Sequence, residues 1–325
     1  MENENILFSI IIPTRNRPVE FKAALDSVLA QTYKNVEVIV VNDGSNQNFR
    51  SEYDALELEY PAVKFLNLIE RTRGHGHCFA RNQGVEEAKG DFIGFLDDDD
   101  YWSDPDFLSV ASTAIKKSNS DFYIANQQAI THEGEKINNV WVENLREKLD
   151  KKDPRLSNEI FEVSISELFK ASGFPHQNVC LISRDLYLSV GGMDENLRYE
   201  PDRDIYLRVI DKSSTILYDS RVVAIHNVPD KSKSTNASTK TNRLEKLLFQ
   251  LRTAEKSILF AENSEVITFN KMRKGYILKH ICEELIKSGK RDLAYFYAKE
   301  ALSISFTLKW MMFTVLCWFR KGRAK

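Results

Sequence analysis

The sequence predicts an α/β fold: a mostly parallel sheet flanked by helices, followed by an α-helical C-terminal region. Three observations carry that expectation. Up to Asp100, short β-rich runs alternate with segments of helical spacing, the order that gives a parallel sheet with right-handed crossovers. Three of the runs close on polar signals, Pro13-Thr14-Arg15, Asp43-Gly44-Ser45 and Asp97 to Asp100, and in such sheets ligands sit beyond the carboxyl ends of the strands. From about Asn242 the β-rich runs cease and only helical spacing is left.

In chain order, Ile6 to Ile12 is the first β-rich run, closed by Pro13, and Phe21, Ala24, Leu25, Val28 and Leu29 then recur at helical spacing. Val36 to Val41 is a second strand, and Val63 to Leu68 a third. Gly74-His75-Gly76-His77 has only a fragment of a phosphate-cradling glycine pattern and follows no clear strand, so it reads as a loop over a ligand. Cys78 to Ala88 is helical, and Gly90 breaks it before the apolar strand Asp91 to Leu96.

That strand ends in Asp97-Asp98-Asp99-Asp100, with no Lys or Arg between Asp91 and Trp102. Four like charges at one strand end raise one another's pKa unless a cation neutralises them, and carboxylate oxygens are hard ligands suited to Mg²⁺ or Mn²⁺. Asp104-Pro105 has the form of a helix N-cap followed by Pro at the first helical position, which leaves the four earlier acids unexplained by capping.

Composition narrows the classes. Hydrophobic residues at 42% and charged residues at 28% are ordinary for a folded protein, and a net charge of −2 gives no basic field for nucleic acid. Cys78, Cys180, Cys282 and Cys317 form no CxxC pair, which fits a reducing compartment rather than a zinc site or a disulfide framework. The acidic start, Met1 to Asn5, lacks the basic character of a signal peptide, so a cytoplasmic location is expected.

Four stretches, Ser9 to Arg17, Glu37 to Ser45, Ala80-Arg81-Asn82-Gln83-Gly84 and Gly90 to Asp100, closely resemble family 2 glycosyltransferases in order and spacing, and the likeness extends over roughly residues 6 to 227. The resemblance implies the GT-A fold and a nucleotide-sugar donor. It implies that Pro13, Thr14 and Arg15 line the nucleotide pocket, that Asp43 hydrogen-bonds the base, and that Arg81 approaches the nucleotide or its diphosphate. Asp97 and Asp99 resemble the two acids of the DxD motif: Asp99 as metal ligand, Asp97 or Asp98 serving ribose or metal-bound water, with the extra acid leaving a shift of one position open.

Farther on, Asp121 to Ile130 reads as a strand, Thr131 to Pro154 as a polar insertion or mobile loop, and Glu159 to Lys170 as helical. Gly191-Gly192-Met193-Asp194-Glu195 and Glu200 to Arg208 also resemble the family, which implies Asp202 as general base. Pro201 stands where an acid is usual, so Glu200 stays open as the alternative. Asp204 and Arg208, four apart, suit a pair along one helix face. Thr215 to Ile225 reads as a strand ending at His226, a further metal ligand by resemblance or a packed strand-end histidine. Pro229 to Thr241 reads as a segment closing over the diphosphate.

Residues 1–240 are therefore expected to form the catalytic domain, and 241–325 a helical region. Leu244, Leu247, Leu248 and Leu251 form one stripe, and Tyr276 to Ile286 pairs with Asp292 to Leu302. Trp310 to Phe319, with the basic Arg320 to Lys325, suits an interfacial helix at the inner face of the cell membrane; packing on the body or on a second copy in a homo-oligomer is the alternative. The expected reaction is inverting, Mn²⁺- or Mg²⁺-dependent transfer from a nucleotide sugar, UDP-linked by resemblance, to a hydroxyl of a glycan or lipid-linked acceptor in cell-surface polysaccharide synthesis. The alternatives are a sugar nucleotidyltransferase, against which Pro13 to Pro18 carries no Gly, and a non-catalytic nucleotide-sugar-binding protein.

Overall fold

The computed structural model describes residues 5–138, 140–149, 157, 159–229 and 241–320. The expected closing segment within 229–241 and the basic residues 321–325 lie wholly or mostly outside this set. Two compact units are present, Met1–Asn196 with Lys212–Ser232, and Leu197–Asp211 with Lys233–Lys325.

The first unit is built on a ten-stranded sheet: β1 (Phe8–Thr14), β2 (Val36–Asn42), β3 (Lys64–Asn67), β4 (Phe92–Phe95), β5 (Tyr101–Trp102), β6 (Phe122–Ile130), β7 (Lys136–Ile137), β8 (Ile160–Val163), β9 (Cys180–Ser183) and β10 (Ile216–Asn227). Strand order is β3-β2-β1-β4-β9-β6-β10-β5, with β7 beside β6 and β8 beside β10. β1 is buried along its whole length, as its unbroken apolar run requires of a central parallel strand. It continues through Pro13; the missing N–H matters little there, because the neighbouring β4 stops at Phe95, opposite Ile11.

Strand direction positions the site. β3, β2, β1 and β4 are mutually parallel. β9 is antiparallel to both β4 and β6, so β6 runs with β4, and β10 is parallel to β6. One edge of the sheet therefore collects the ends of β1, β2, β4, β6 and β10 together with the beginning of β9.

Helices α1 (Pro18–Leu29), α2 (Arg50–Glu59), α3 (His77–Glu86) and α4 (Phe107–Ser118) belong to this unit. α1 buries Phe21, Ala24, Leu25 and Val28 in the sheet's main apolar cluster, while Leu29 at its end is exposed. α4 begins after Asp106, two residues later than the Asp104 cap predicts. The Asp104 carboxylate instead accepts from the Asp106 backbone N–H (2.9 Å) and from Arg221 (2.8 Å).

The described part of the polar stretch after Thr131 carries more regular structure than its composition predicts. It holds β7 and α5 (Leu145–Lys148), and Trp141, Val142, Leu145 and Leu149 anchor it by burial. Residues 160–163 form a strand where helical spacing predicts otherwise. Ile160, Phe161 and Val163 are buried along the edge β10 offers, and only then does α6 (Ile165–Leu168) begin, with Ser164 and Glu167 as a capping box. α7 (Arg184–Ser189) follows β9.

The second unit contains α8 (Pro201–Lys212), apart from its last residue, and the helices α9 (Arg243–Phe260), α10 (Ser264–Lys287), α11 (Arg291–Ile304) and α12 (Leu308–Arg320). Its core includes Leu247, Leu251, Ile277, Leu278, Ile281, Leu285 and Trp310. Of the predicted leucine stripe, Leu248 faces outward.

Gly90 fastens β4 to β1. Its N–H donates to Ser9 Oγ (2.8 Å) and Glu37 Oε1 (3.0 Å), and a Cβ there would stand 2.7 Å from the Leu7 carbonyl oxygen. Backbone cannot yield as a side chain can, so Gly90→Ala is expected to destabilise the protein by about 1–3 kcal/mol, read as a lower urea midpoint with unchanged slope.

Candidate active site

The four carboxylates at the end of β4 have divided surroundings. Asp100 is fully buried: one carboxylate oxygen accepts from Asn178 Nδ2 (2.5 Å) and meets His226 Nδ1 (2.7 Å), and the other accepts from the Asn227 backbone N–H (2.8 Å). Arg17, the N-cap of α1, bridges Asp98 (3.2 Å) and Asp99 (2.7 Å). Buried Arg81, from α3, pairs with Asp97, and His176 Nε2 stands 3.8 Å from the other Asp97 oxygen. The turn's cations thus arrive from α1 and α3, where the local sequence shows none.

Among the described residues, two arginines face the four carboxylates, with His176 and His226 beside them. Burial, then the neighbouring Asp99 charge, pushes the Asp98 carboxyl up to about 7 in spite of Arg17. Burial, with Asp100 and Asp97, pushes Asp99 up to about 6. Asp97 goes the other way: burial opposes its charge, yet Arg81 and the nearby histidines hold it at about 2. His226 is raised, because its bond to Asp100 and the surrounding carboxylates outweigh burial.

Oxygens of Asp97, Asp99 and Asp100 lie within 4.8 Å of one another, and so do ligand atoms of Asp100, His176 and His226. Hard oxygens with an imidazole alongside, and carboxyls raised by crowding, fit a divalent cation such as Mn²⁺ or Mg²⁺.

The other strand ends complete the edge. Thr14 Oγ1 meets Tyr53 OH (2.7 Å), and that hydroxyl accepts the Arg17 backbone N–H (3.2 Å). Arg15 offers its backbone N–H to Asp98 (3.4 Å) and donates from its side chain to the Arg71 carbonyl (3.0 Å). Pro13 is buried within β1. Asp43 accepts the backbone N–H groups of His75 (2.7 Å) and Gly76 (3.0 Å), which ties down the Gly-His-Gly loop. Gly74 and Gly76 make this possible by taking positive φ of 68° and 110°.

Pro13, Thr14, Arg15, Asp43, Arg81, Asp97, Asp98, Asp99 and His226 all belong to the first unit. Asp202 belongs to the second, on the first turn of α8. Beside it, Glu200 is engaged by Arg203 (2.8 Å), Arg273 (3.1 Å) and Gln250 (2.6 Å), and Asp204 by Arg208 (2.6 Å) and Lys256 (3.0 Å).

From the sequence alone Arg17, Tyr53, Trp141, His176 and Asn178 carry no individual role, and Asp100 enters only as one of the four clustered acids. Asn178 Oδ1 accepts the Asp97 N–H (3.0 Å) while its Nδ2 holds Asp100, so one buried amide grips both ends of the acidic turn. Trp141 packs on the rings of His176 and His226, at 5.7 and 5.2 Å. Arg17 falls in the family-like stretch Ser9 to Arg17 and Asp100 in the acidic run, whereas Tyr53 and Trp141 carry no local signal.

An α/β sheet that gathers a cation-competent carboxylate turn and arginines at its strand ends is an arrangement suited to a phosphate-bearing ligand. The chain belongs to glycosyl transferase family 2, whose model matches residues 9–180. Over 129 residues, 40% of this chain and 49% of the other, it is 34% identical to an Escherichia coli protein, UDP-Glc:alpha-D-GlcNAc-diphosphoundecaprenol beta-1,3-glucosyltransferase. Staphylococcus aureus TarS, solved with UDP-GlcNAc, shares the fold with a TM-score of 0.62 at 17% identity over 96% of this chain and 79% of that one. So does the mannosyltransferase PcManGT of Pyrobaculum calidifontis, solved with GDP-Man and Mn²⁺, with a TM-score of 0.57 at 15% identity over 98% and 85%. The protein is a glycosyltransferase.

The raised acids set a pH dependence. Unfolded carboxyls titrate near ~4, so between about 6 and 7 the native state holds protons the unfolded chain has lost, and stability falls as pH rises through that window. His226, also raised, acts in the same direction. In EDTA, Tm is expected to drop across this window. Asp98→Asn should remove most of the drop and Mn²⁺ should oppose it, as differential scanning calorimetry would show.

Proposed function

We propose that the protein transfers a sugar, with inversion, from a UDP-sugar to a hydroxyl of a lipid-linked or glycan acceptor. The observation that carries this reading is the crowding of carboxylates in the acidic turn at the ligand-binding edge of the sheet. The UDP donor and polyprenyl-diphosphate acceptor named for the E. coli relative, and the UDP-GlcNAc held by TarS, support the substrate classes. A role in cell-surface polysaccharide synthesis and a peripheral position at the cytoplasmic membrane face follow from such an acceptor. No described helix is long and apolar enough to cross a membrane. We keep 1–240 as the catalytic domain and 241–325 as the helical region, with α8 packing among the helices of the latter.

In this reading Pro13, Thr14 and Arg15 line the nucleotide. Asp43 accepts from the base with lone pairs its two loop contacts leave over. Arg81 faces the diphosphate, and Asp97 or Asp98 serves the ribose. Asp99 and His226 would hold Mn²⁺ or Mg²⁺, which when bound neutralises charge developing on the departing diphosphate; the Mn²⁺ in PcManGT supports the choice. Asp202 takes the proton of the acceptor hydroxyl as its oxygen attacks the anomeric carbon. Asp202 stands on the first turn of α8. Glu200 is the alternative candidate; its oxygens are bound by two arginines and an amide.

Asp99→Ala is expected to lower kcat at least about a hundredfold, and EDTA to do the same to the wild type, in an assay of released UDP. Normal transfer by Asp99→Ala in EDTA would defeat the mechanism. Asp202→Asn should lower kcat on the order of 10²–10⁴-fold while UDP still raises Tm. Glu200→Gln should lower Tm but leave the pH–rate profile in place.

A further inference from the structure

We propose that the outer face of α12 is a contact surface for an anionic lipid bilayer. The helix is apolar on two opposite sides. Trp310, Thr314 and Cys317 face inward, and Trp310 Nε1 donates to the Ala298 carbonyl (2.9 Å). Leu308, Met312, Val315, Leu316 and Phe319 face out, each between 46% and 67% exposed. At 3.6 residues per turn these five fall within an arc of about 100°, turned away from the buried side. Burial within the unit satisfies the first stripe, and among the described residues no element covers the second.

Charge selects the occupant. After Glu300 the chain has no Asp or Glu, yet it carries Lys309, Arg320, Lys321, Arg323 and Lys325, five cations in a protein whose net charge is −2. On the same helical projection, Lys309 and Arg320 fall together at one margin of the exposed stripe. An apolar stripe with a cationic margin is the pattern of a helix lying in a membrane surface, where the stripe enters the headgroup boundary and the cations meet anionic lipid. A two-fold pairing of the same face would bring like charges together, which disfavours a second copy. At 13 residues the helix is too short to span a bilayer, so it lies on the surface.

The test uses the full chain and sedimentation with vesicles of phosphatidylcholine plus phosphatidylglycerol, against phosphatidylcholine alone. The expected result is binding to the anionic vesicles, weakened at least about tenfold by neutral lipid or by salt near 1 M. Met312→Glu with Leu316→Glu, both exposed, should abolish binding, while circular dichroism and the UDP-induced rise in Tm stay as in wild type. Lys309→Glu with Arg320→Glu should weaken it on the order of tenfold. The proposal falls if the wild type stays in the supernatant, if it binds neutral and anionic vesicles alike, or if the Met312/Leu316 pair binds as well as wild type. It also falls if that pair instead converts a dimer to a monomer in sedimentation velocity, which would give the face to a second copy. Vesicle binding needs neither donor nor acceptor, so its failure leaves the transferase reading standing, and a failure of transfer leaves this one.

Discussion

The structure of the site depends on a crowding of negative charge. Four adjacent carboxylates end a buried strand, and a fold that tolerates them must separate their environments. Asp100 is withdrawn into the interior and satisfied by an amide, an imidazole and a backbone N–H. Arg81 holds Asp97 ionised. Arg17 is shared between Asp98 and Asp99, and one guanidinium cannot fully compensate two partly buried carboxylates, so these two stay high. Of these two, Asp99 belongs to the group of carboxylates that could hold a cation. Binding energy spent there restores charge balance as well as placing a ligand.

The reversed direction of β9 in the sheet brings the partners of that turn together. Because β9 runs against β4 and β6, its beginning lies where its neighbours end, and His176 and Asn178 just before it reach the acids. Had β9 been parallel, those two side chains would lie at the opposite edge. β10, running with β6, then delivers His226 and Asn227 from its end. The acidic turn is therefore braced from two strands distant in sequence, and this bracing fixes carboxylate geometry more tightly than a surface loop could.

What the sequence made legible follows from how local each signal is. Strands β1, β2 and β4 were readable because parallel, fully buried strands are continuous apolar runs, and the four acids announce the end of β4. The strand at 160–163 was not, since four residues with one polar member fit either period, and only the edge of β10 decides between them. Trp141 was hidden in a segment whose average composition is polar; a few large side chains suffice to anchor such a segment by burial. Arg17 and Asn178 were visible as residues but not as partners of the acids, because sequence separations of 81 and 78 carry no periodicity.

The second unit gives the C-terminal helices a structural task that their composition alone does not suggest. α8 is tied to them at three places along its length. Glu200, held at a φ of 51° where a non-glycine residue is strained, receives Gln250 from α9 and Arg273 from α10. Asp204 receives Lys256, and Asp211 accepts the backbone N–H groups of Glu262 and Asn263 at the start of α10. Strain of this kind persists only where surrounding contacts over-determine it, and here they do. The oxygens of Glu200 accept from Arg203, Arg273 and Gln250, which fixes where α8 begins. Asp202, two residues later, inherits a fixed position on the first turn. Asp202, the proposed base, thereby stands on a turn whose start is held by the contacts of its neighbour Glu200.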